Sequence, residues 1–132
     1  MILIDTSAWI EFLRPRGIPV VKERVAAYLS ADDGAFTCPI RFELLSGAKD
    51  SEIADVEAVL SLCRHIPFDA ECWTTAARIE RDLRRHGISV PRDDVFVATV
   101  ALRTKTTVVC RDSHFDLIRD KGGLPLVLEQ FS

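Results

Sequence analysis

Short apolar runs alternating with helix-like segments constrain this chain more than any other feature. Ile2-Leu3-Ile4 and Thr107-Val108-Val109-Cys110 are the clearest such runs, and they suit strands covered on both faces. Met1–Ile4, Ala35–Cys38, His65–Phe68 and Thr107–Cys110 read as four strands, with Leu124–Leu128 as a fifth, edge strand. Helices are expected over Thr6–Leu13, Pro19–Ser30, about Ile40–Ala48, and from an N-cap at Ser51 through Val56, Val59, Leu60 and Cys63. Asp69 caps a long helix to about Arg85, another runs from Asp93 or Asp94 to about Thr104, and a short one spans Ser113–Asp120. This order predicts an α/β fold with a central, mainly parallel sheet of four to five strands. Right-handed crossovers then bring every strand's C-terminal end to one edge, where open α/β sheets bind ligands.

The length of 132 residues predicts a single domain over residues 1–132. A formal charge of −3 excludes a globally basic nucleic-acid binder, so any such binding must come from local arginines. Asp5 precedes any stretch long enough for a signal peptide, and no run approaches the ~18 apolar residues of a membrane span. Cys38, Cys63, Cys72 and Cys110 show neither Cys-x-x-Cys spacing nor a histidine at zinc-ligand spacing. Most read as small buried hydrophobes in a cytoplasmic protein.

Against this frame four acids are costly to place. Asp5 ends the first apolar run and Asp112 follows the last, so both fall at the same sheet edge. Glu43 lies within Ile40-Arg41-Phe42-Glu43-Leu44-Leu45, and Asp94 opens the apolar run Val95-Phe96-Val97-Ala98. Each has a plain alternative. Asp5 can cap the first helix, although Thr6 and Ser7 can also do so. Glu43 can pair with Arg41 on the surface. Ser113 can cap the last helix and free Asp112. Asp93 is assigned the cap of its helix and Asp94 the inward position. Asp116 is an outer acid, and His114 reads as a loop or packing residue. Charge beside a core needs a partner or a metal, and several carboxylates without a His or Cys cluster suit Mg²⁺ or Mn²⁺. Such a site serves phosphodiester chemistry by activating water and stabilising the leaving oxygen. No Walker loop or Gly-x-Ser-x-Gly elbow competes.

Ile2-Leu3-Ile4-Asp5-Thr6-Ser7-Ala8-Trp9-Ile10 resembles the opening of a PIN domain. Glu43-Leu44-Leu45-Ser46-Gly47, Asp94-Val95-Phe96-Val97-Ala98-Thr99-Val100-Ala101-Leu102 and Val108-Val109-Cys110-Arg111-Asp112-Ser113-His114-Phe115 resemble that family's later acidic motifs. The resemblance covers essentially the whole chain and is nearest to VapC-type toxins. One departure is Val97-Ala98-Thr99-Val100, bulkier than the usual alanine-rich stretch. The resemblance implies a three-layer α/β/α PIN-like fold and a Mg²⁺-dependent endoribonuclease, with Mn²⁺ as the alternative ion. It also implies a homodimer, a cognate VapB-type antitoxin, and an RNA substrate. Asp5, Glu43, Asp94 and Asp112 become the catalytic and metal-binding quartet, with Asp5 and Asp94 as direct ligands. Thr6 or Ser7 orients a ligand or the substrate phosphate. Arg14 and Arg16 are candidates for the RNA backbone, with Arg41, Arg92 and Arg111 beside them.

Two other readings remain at this point. A Mg²⁺-dependent phosphatase-like enzyme would want Asp-x-Asp after the first strand, where Asp5-Thr6-Ser7 stands instead. A catalytically silent PIN-like binding module would have lost acids, and none is missing.

Overall fold

Strand β1 (Ile2–Ile4) occupies the centre of a five-stranded sheet. Leu3 and Ile4 point to opposite faces, yet both are fully buried, so helices cover the sheet on both sides. The computed structural model describes residues 1–132. After β1 come α1 (Thr6–Leu13), α2 (Pro19–Ser30), β2 (Gly34–Thr37), α3 (Cys38–Gly47), α4 (Ile53–Leu60) and β3 (Arg64–Ile66). Then follow α5 (Ala70–Arg85), α6 (Arg92–Thr104), β4 (Thr107–Cys110), α7 (His114–Asp120) and β5 (Leu128–Gln130).

All strand pairings are parallel, in the order β3-β2-β1-β4-β5. The chain builds outward from β1 to β3 on one side, then returns to add β4 and β5 on the other. Strand order therefore reverses between β1 and β4, and a crevice opens beyond their C-terminal ends. Asp5 N–H donates to Val109 O at 2.9 Å, which locks the exits of these two strands together.

Several boundaries differ from the expectations, each for a local reason. Strand β2 ends at Thr37 because Cys38 already opens α3, with Pro39 in its first turn. Strand β3 stops before Pro67, which has no N–H for a ladder. Ser51 is not an N-cap: it lies inside a 3₁₀ turn, Asp50–Glu52, closed by Lys49 N–H donating to Glu52 Oε1 at 2.7 Å. Strand β5 begins at Leu128 rather than Leu124. Leu126 N–H turns back to Leu124 O at 2.8 Å, and the segment meets the sheet only where Val108 N–H reaches Val127 O.

Helix α6 is buried at Asp94, Val95 and every position from Val97 to Ala101, as its apolar sequence requires. Asp69 does cap α5, accepting from Cys72 N–H at 3.0 Å. Cys72 and Cys110 are buried, Cys63 is half-buried, and Cys38 is exposed, so the last departs from the buried role expected of most of the thiols. Gly17 is required by close approach: a Cβ there would lie 1.7 Å from the carbonyl oxygen of Glu11. The turn after α1 can fold back over the helix only without a side chain at this point.

Ile118 is fully buried on α7. Ile118→Ala should lower unfolding free energy by about 2–5 kcal/mol, read from urea denaturation followed by far-UV circular dichroism.

Candidate active site

The Asp5-Thr6-Ser7 segment turns sharply from β1 into α1. Asp5 is the N-cap of α1, and one oxygen, Oδ2, accepts from both Ser7 N–H at 3.0 Å and Ser7 Oγ–H at 2.6 Å. Capping and placement in the crevice are therefore not alternatives for this residue. Ser7 Oγ in turn accepts Arg111 N–H at 2.9 Å, tying the start of α1 to the loop after β4. Thr6 points the other way and donates to Glu43 Oε1 on α3 at 3.0 Å. Arg41 pairs with Glu57 instead of Glu43, at 2.5 and 2.6 Å.

Pro91 is the N-cap of α6, and α6 starts at Arg92. Asp93 therefore does not cap the helix; it sits in the first turn beside Glu43, whose carboxyl feels its charge. Asp94, one residue on, is buried and turned inward. Asp112 is not relieved of local duty by Ser113, which makes no side-chain cap bond. Instead Asp112 Oδ1 accepts His114 N–H at 2.9 Å.

His114 also departs from its expected packing role. Its Nδ1 lies 2.8 Å from Asp112 Oδ1 and 3.1 Å from Asp94 Oδ2. The ring nitrogen aligns into a hydrogen bond with neither. Gln130 on β5 was not expected here. It accepts Asp112 N–H at 3.0 Å, and its amide donates to Asp112 O at 2.8 Å and Asp116 Oδ2 at 3.1 Å. Asp116 is thus linked to Asp112 from outside, and it also pairs with Arg119 at 3.3 Å.

The four acids converge. Burial is the main cause that pushes Asp94 up to about 9, followed by the charge of Asp112 and then those of Asp5 and Glu43. Burial likewise raises Glu43 to about 7, with Thr6 opposing and Asp93 and Asp5 adding to the rise. Asp5 is raised by burial, and its two bonds from Ser7 hold the rise back. Asp94 Oδ2 is buried without a hydrogen-bond partner. Ligand atoms of Asp94, Asp112 and His114 all lie within 4.8 Å of one another. A buried carboxylate oxygen that lies 3.1 Å from His114 Nδ1 without a hydrogen bond, among further carboxylates, fits a hard divalent cation, which would offset the repulsion.

Of the candidate RNA-contacting residues, Arg14 lines a cavity of about 370 Å³ that also takes in Thr6 and Glu43. Arg16 is exposed on the α1–α2 turn and does not reach that cavity. Arg92 pairs with Glu80 at 3.1 Å.

Fold and crevice together define a doubly wound α/β protein with an acidic, cation-type site at its topological switch point. The PIN domain model matches residues 2–121. Ribonuclease VapC11 of Mycobacterium tuberculosis and a VapC ribonuclease of Mycobacterium bovis are each 38% identical over 122 residues, 89% of this chain and 91% of theirs. The chain belongs to the PIN domain family. A chain of VapBC2 from Rickettsia felis, solved with a promoter DNA fragment, superposes with a TM-score of 0.77 at 19% identity, covering 100% of both. A chain of DNA-bound VapBC from Salmonella typhimurium gives 0.77 at 21% identity, covering 98% of each. At these identities the likeness concerns the fold alone.

The raised carboxyls fix the sign of a pH effect. Asp94 and Glu43 bind protons more tightly in the folded chain than at their ordinary values of 3.8 and 4.5. Between those values and about 9 and about 7, the folded state holds more protons, so stability falls as pH rises. In EDTA the melting temperature should be lower at about pH 8 than at about pH 5.5, and Asp94→Asn should flatten that slope.

Proposed function

We propose that the protein is a Mg²⁺-dependent endoribonuclease, the toxin of a VapBC-type pair. The observation that supports this reading is the buried Asp94 carboxyl, which feels the charges of Asp112, Asp5 and Glu43 and has one oxygen without a hydrogen bond. Family membership adds the chemistry, because relatives of 38% identity are named ribonucleases. Asp5, Glu43, Asp94 and Asp112 would hold the cation. Mn²⁺ suits the same oxygen donors. Once bound, the ion supplies Lewis acidity to water and to the phosphodiester oxygens.

The chain's own residues do the rest. Ser7 fixes the Asp5 carboxylate and Thr6 fixes Glu43, so neither must reorganise when substrate arrives. Thr6 occupies Glu43 Oε1, which leaves Oε2 to take a proton from the attacking water. Closure of Asp112 between His114 N–H and Gln130 keeps the far wall of the crevice in place.

A VapB-type antitoxin as partner and a homodimer belong to the same reading, supported by the VapBC complexes that share the fold. No helix is long and apolar enough to cross a membrane, and four free thiols suit a reducing cytoplasm.

Asp5→Ala and Asp94→Ala should each abolish cleavage of a labelled RNA while far-UV circular dichroism stays unchanged. Full activity in both purified variants would overturn the site assignment. EDTA should abolish cleavage by the unaltered chain, and Mg²⁺ should restore it. RNA binding should also depend on the ion, because four carboxylates repel a phosphate backbone until a cation is bound. Stopped-flow binding with EDTA and with Mg²⁺ checks this, and equal affinity would contradict it.

A further inference from the structure

Three acids are buried in this chain, and one of them, Glu11, lies outside the crevice. It stands on α1 one turn after Ser7, on the same face. Its surroundings are unlike those of Asp94. Oε1 lies 3.3 Å from Arg14 Nη1 and 3.7 Å from Arg111 Nη1, while Oε2 accepts Ile18 N–H at 3.4 Å. Gly17, packed against the Glu11 carbonyl, lets the turn reach back to deliver that N–H.

The two arginines come from opposite sides of the site. Arg14 follows α1 and lines the cavity shared by Thr6 and Glu43. Arg111 immediately precedes Asp112, and its backbone N–H is held by Ser7, the residue that orients Asp5. Their side chains remain 62% and 41% exposed; Arg111 Nε also donates to Ser132 O at 3.3 Å, which leaves its Nη2 for a ligand. One carboxylate between two guanidiniums leaves a net positive charge beside an otherwise negative crevice. Guanidinium forks match phosphate geometry, and such contacts position a nucleic-acid backbone without reading its bases.

We infer that Glu11 is a positioning residue: from its buried site it holds Arg14 and Arg111 as a two-arginine clamp for an RNA backbone phosphate at the rim of the acidic crevice. The inference rests on the ribonuclease reading above and adds to it how an acidic protein grips an anionic substrate. Free arginine side chains would lose rotamer freedom on meeting a phosphate. Glu11 removes that freedom in advance, and from beneath, where it does not compete with the ligand for the exposed N–H groups.

The test compares the unaltered chain, Glu11→Gln, Arg14→Ala/Arg111→Ala and the triple variant on a labelled single-stranded RNA at several salt concentrations. Glu11→Gln keeps the side chain's size and removes its charge, and thermal melting identifies any variant that fails to fold. Glu11→Gln should raise KM severalfold with little change in kcat, the signature of lost substrate binding. The arginine pair variant should flatten the dependence of log(1/KM) on log salt by about 0.7, the loss of one phosphate contact on a single strand. In that background Glu11→Gln should have no further effect on KM. A folded Glu11→Gln with unchanged KM overturns the inference, as does a KM effect that persists without the arginines, or a loss confined to kcat. An unaltered chain that neither binds nor cuts RNA overturns the ribonuclease reading and this inference together, whereas an active chain with a silent Glu11→Gln overturns only the latter.

Discussion

Like charge packed at the switch point is the constraint on which the rest of the site depends. Asp94 is buried within reach of three other carboxylates, a placement that opposes folding at neutral pH. The apolar surroundings hold it there. Val95, Val97 and Ala98 bury the same helix that carries Asp94, while Ile4 and Val109 form the floor in the two central strands. Burial at about 25 cal/mol per Å² of apolar surface is spread over the whole core, whereas the repulsion is concentrated at one point. The start of α6 adds a local compensation, since the helix dipole favours negative charge in its first turn.

Two consecutive hydroxyl residues translate this constraint into architecture. Ser7 connects Asp5 to the backbone after β4, and Thr6 connects the same turn to Glu43 on α3. Because they leave the helix start in different directions, one turn of α1 braces both walls of the crevice. The sheet brings β1 and β4 side by side, and the hydroxyls then set the side chains that project beyond them. Glu11, further along α1, extends this bracing to the positively charged rim.

Much of this was legible in the sequence, for reasons that also explain what was not. Asp5 and Asp112 could be placed because an apolar run just before each fixes a strand end, and parallel topology puts strand ends together. The α6 boundary was harder. Asp93 and Asp94 both look like caps, but the helix starts earlier, at Arg92, so Asp93 falls inside its first turn. His114 could not be read as part of the site because its position depends on how α7 leaves the loop after Asp112. Glu11 carries no signal of its own in the sequence, since one of its partners, Arg111, is remote along the chain. The β5 register also escaped, because Leu124–Leu126 is apolar enough for a strand but turns back on itself.

Gln130 gives the outermost strand a share in the centre of the molecule. Its side chain bonds both the amide and the carbonyl of Asp112, much as a further residue of backbone ladder would. Edge strands open at lower free energy than central ones, because fewer neighbours hold them. Release of β5 would therefore undo two of the bonds that fix Asp112 while leaving β1, Asp5 and α6 in place. Opening of β5 would thus leave the crevice only partly assembled, so the local stability of this edge strand contributes to the affinity of the site.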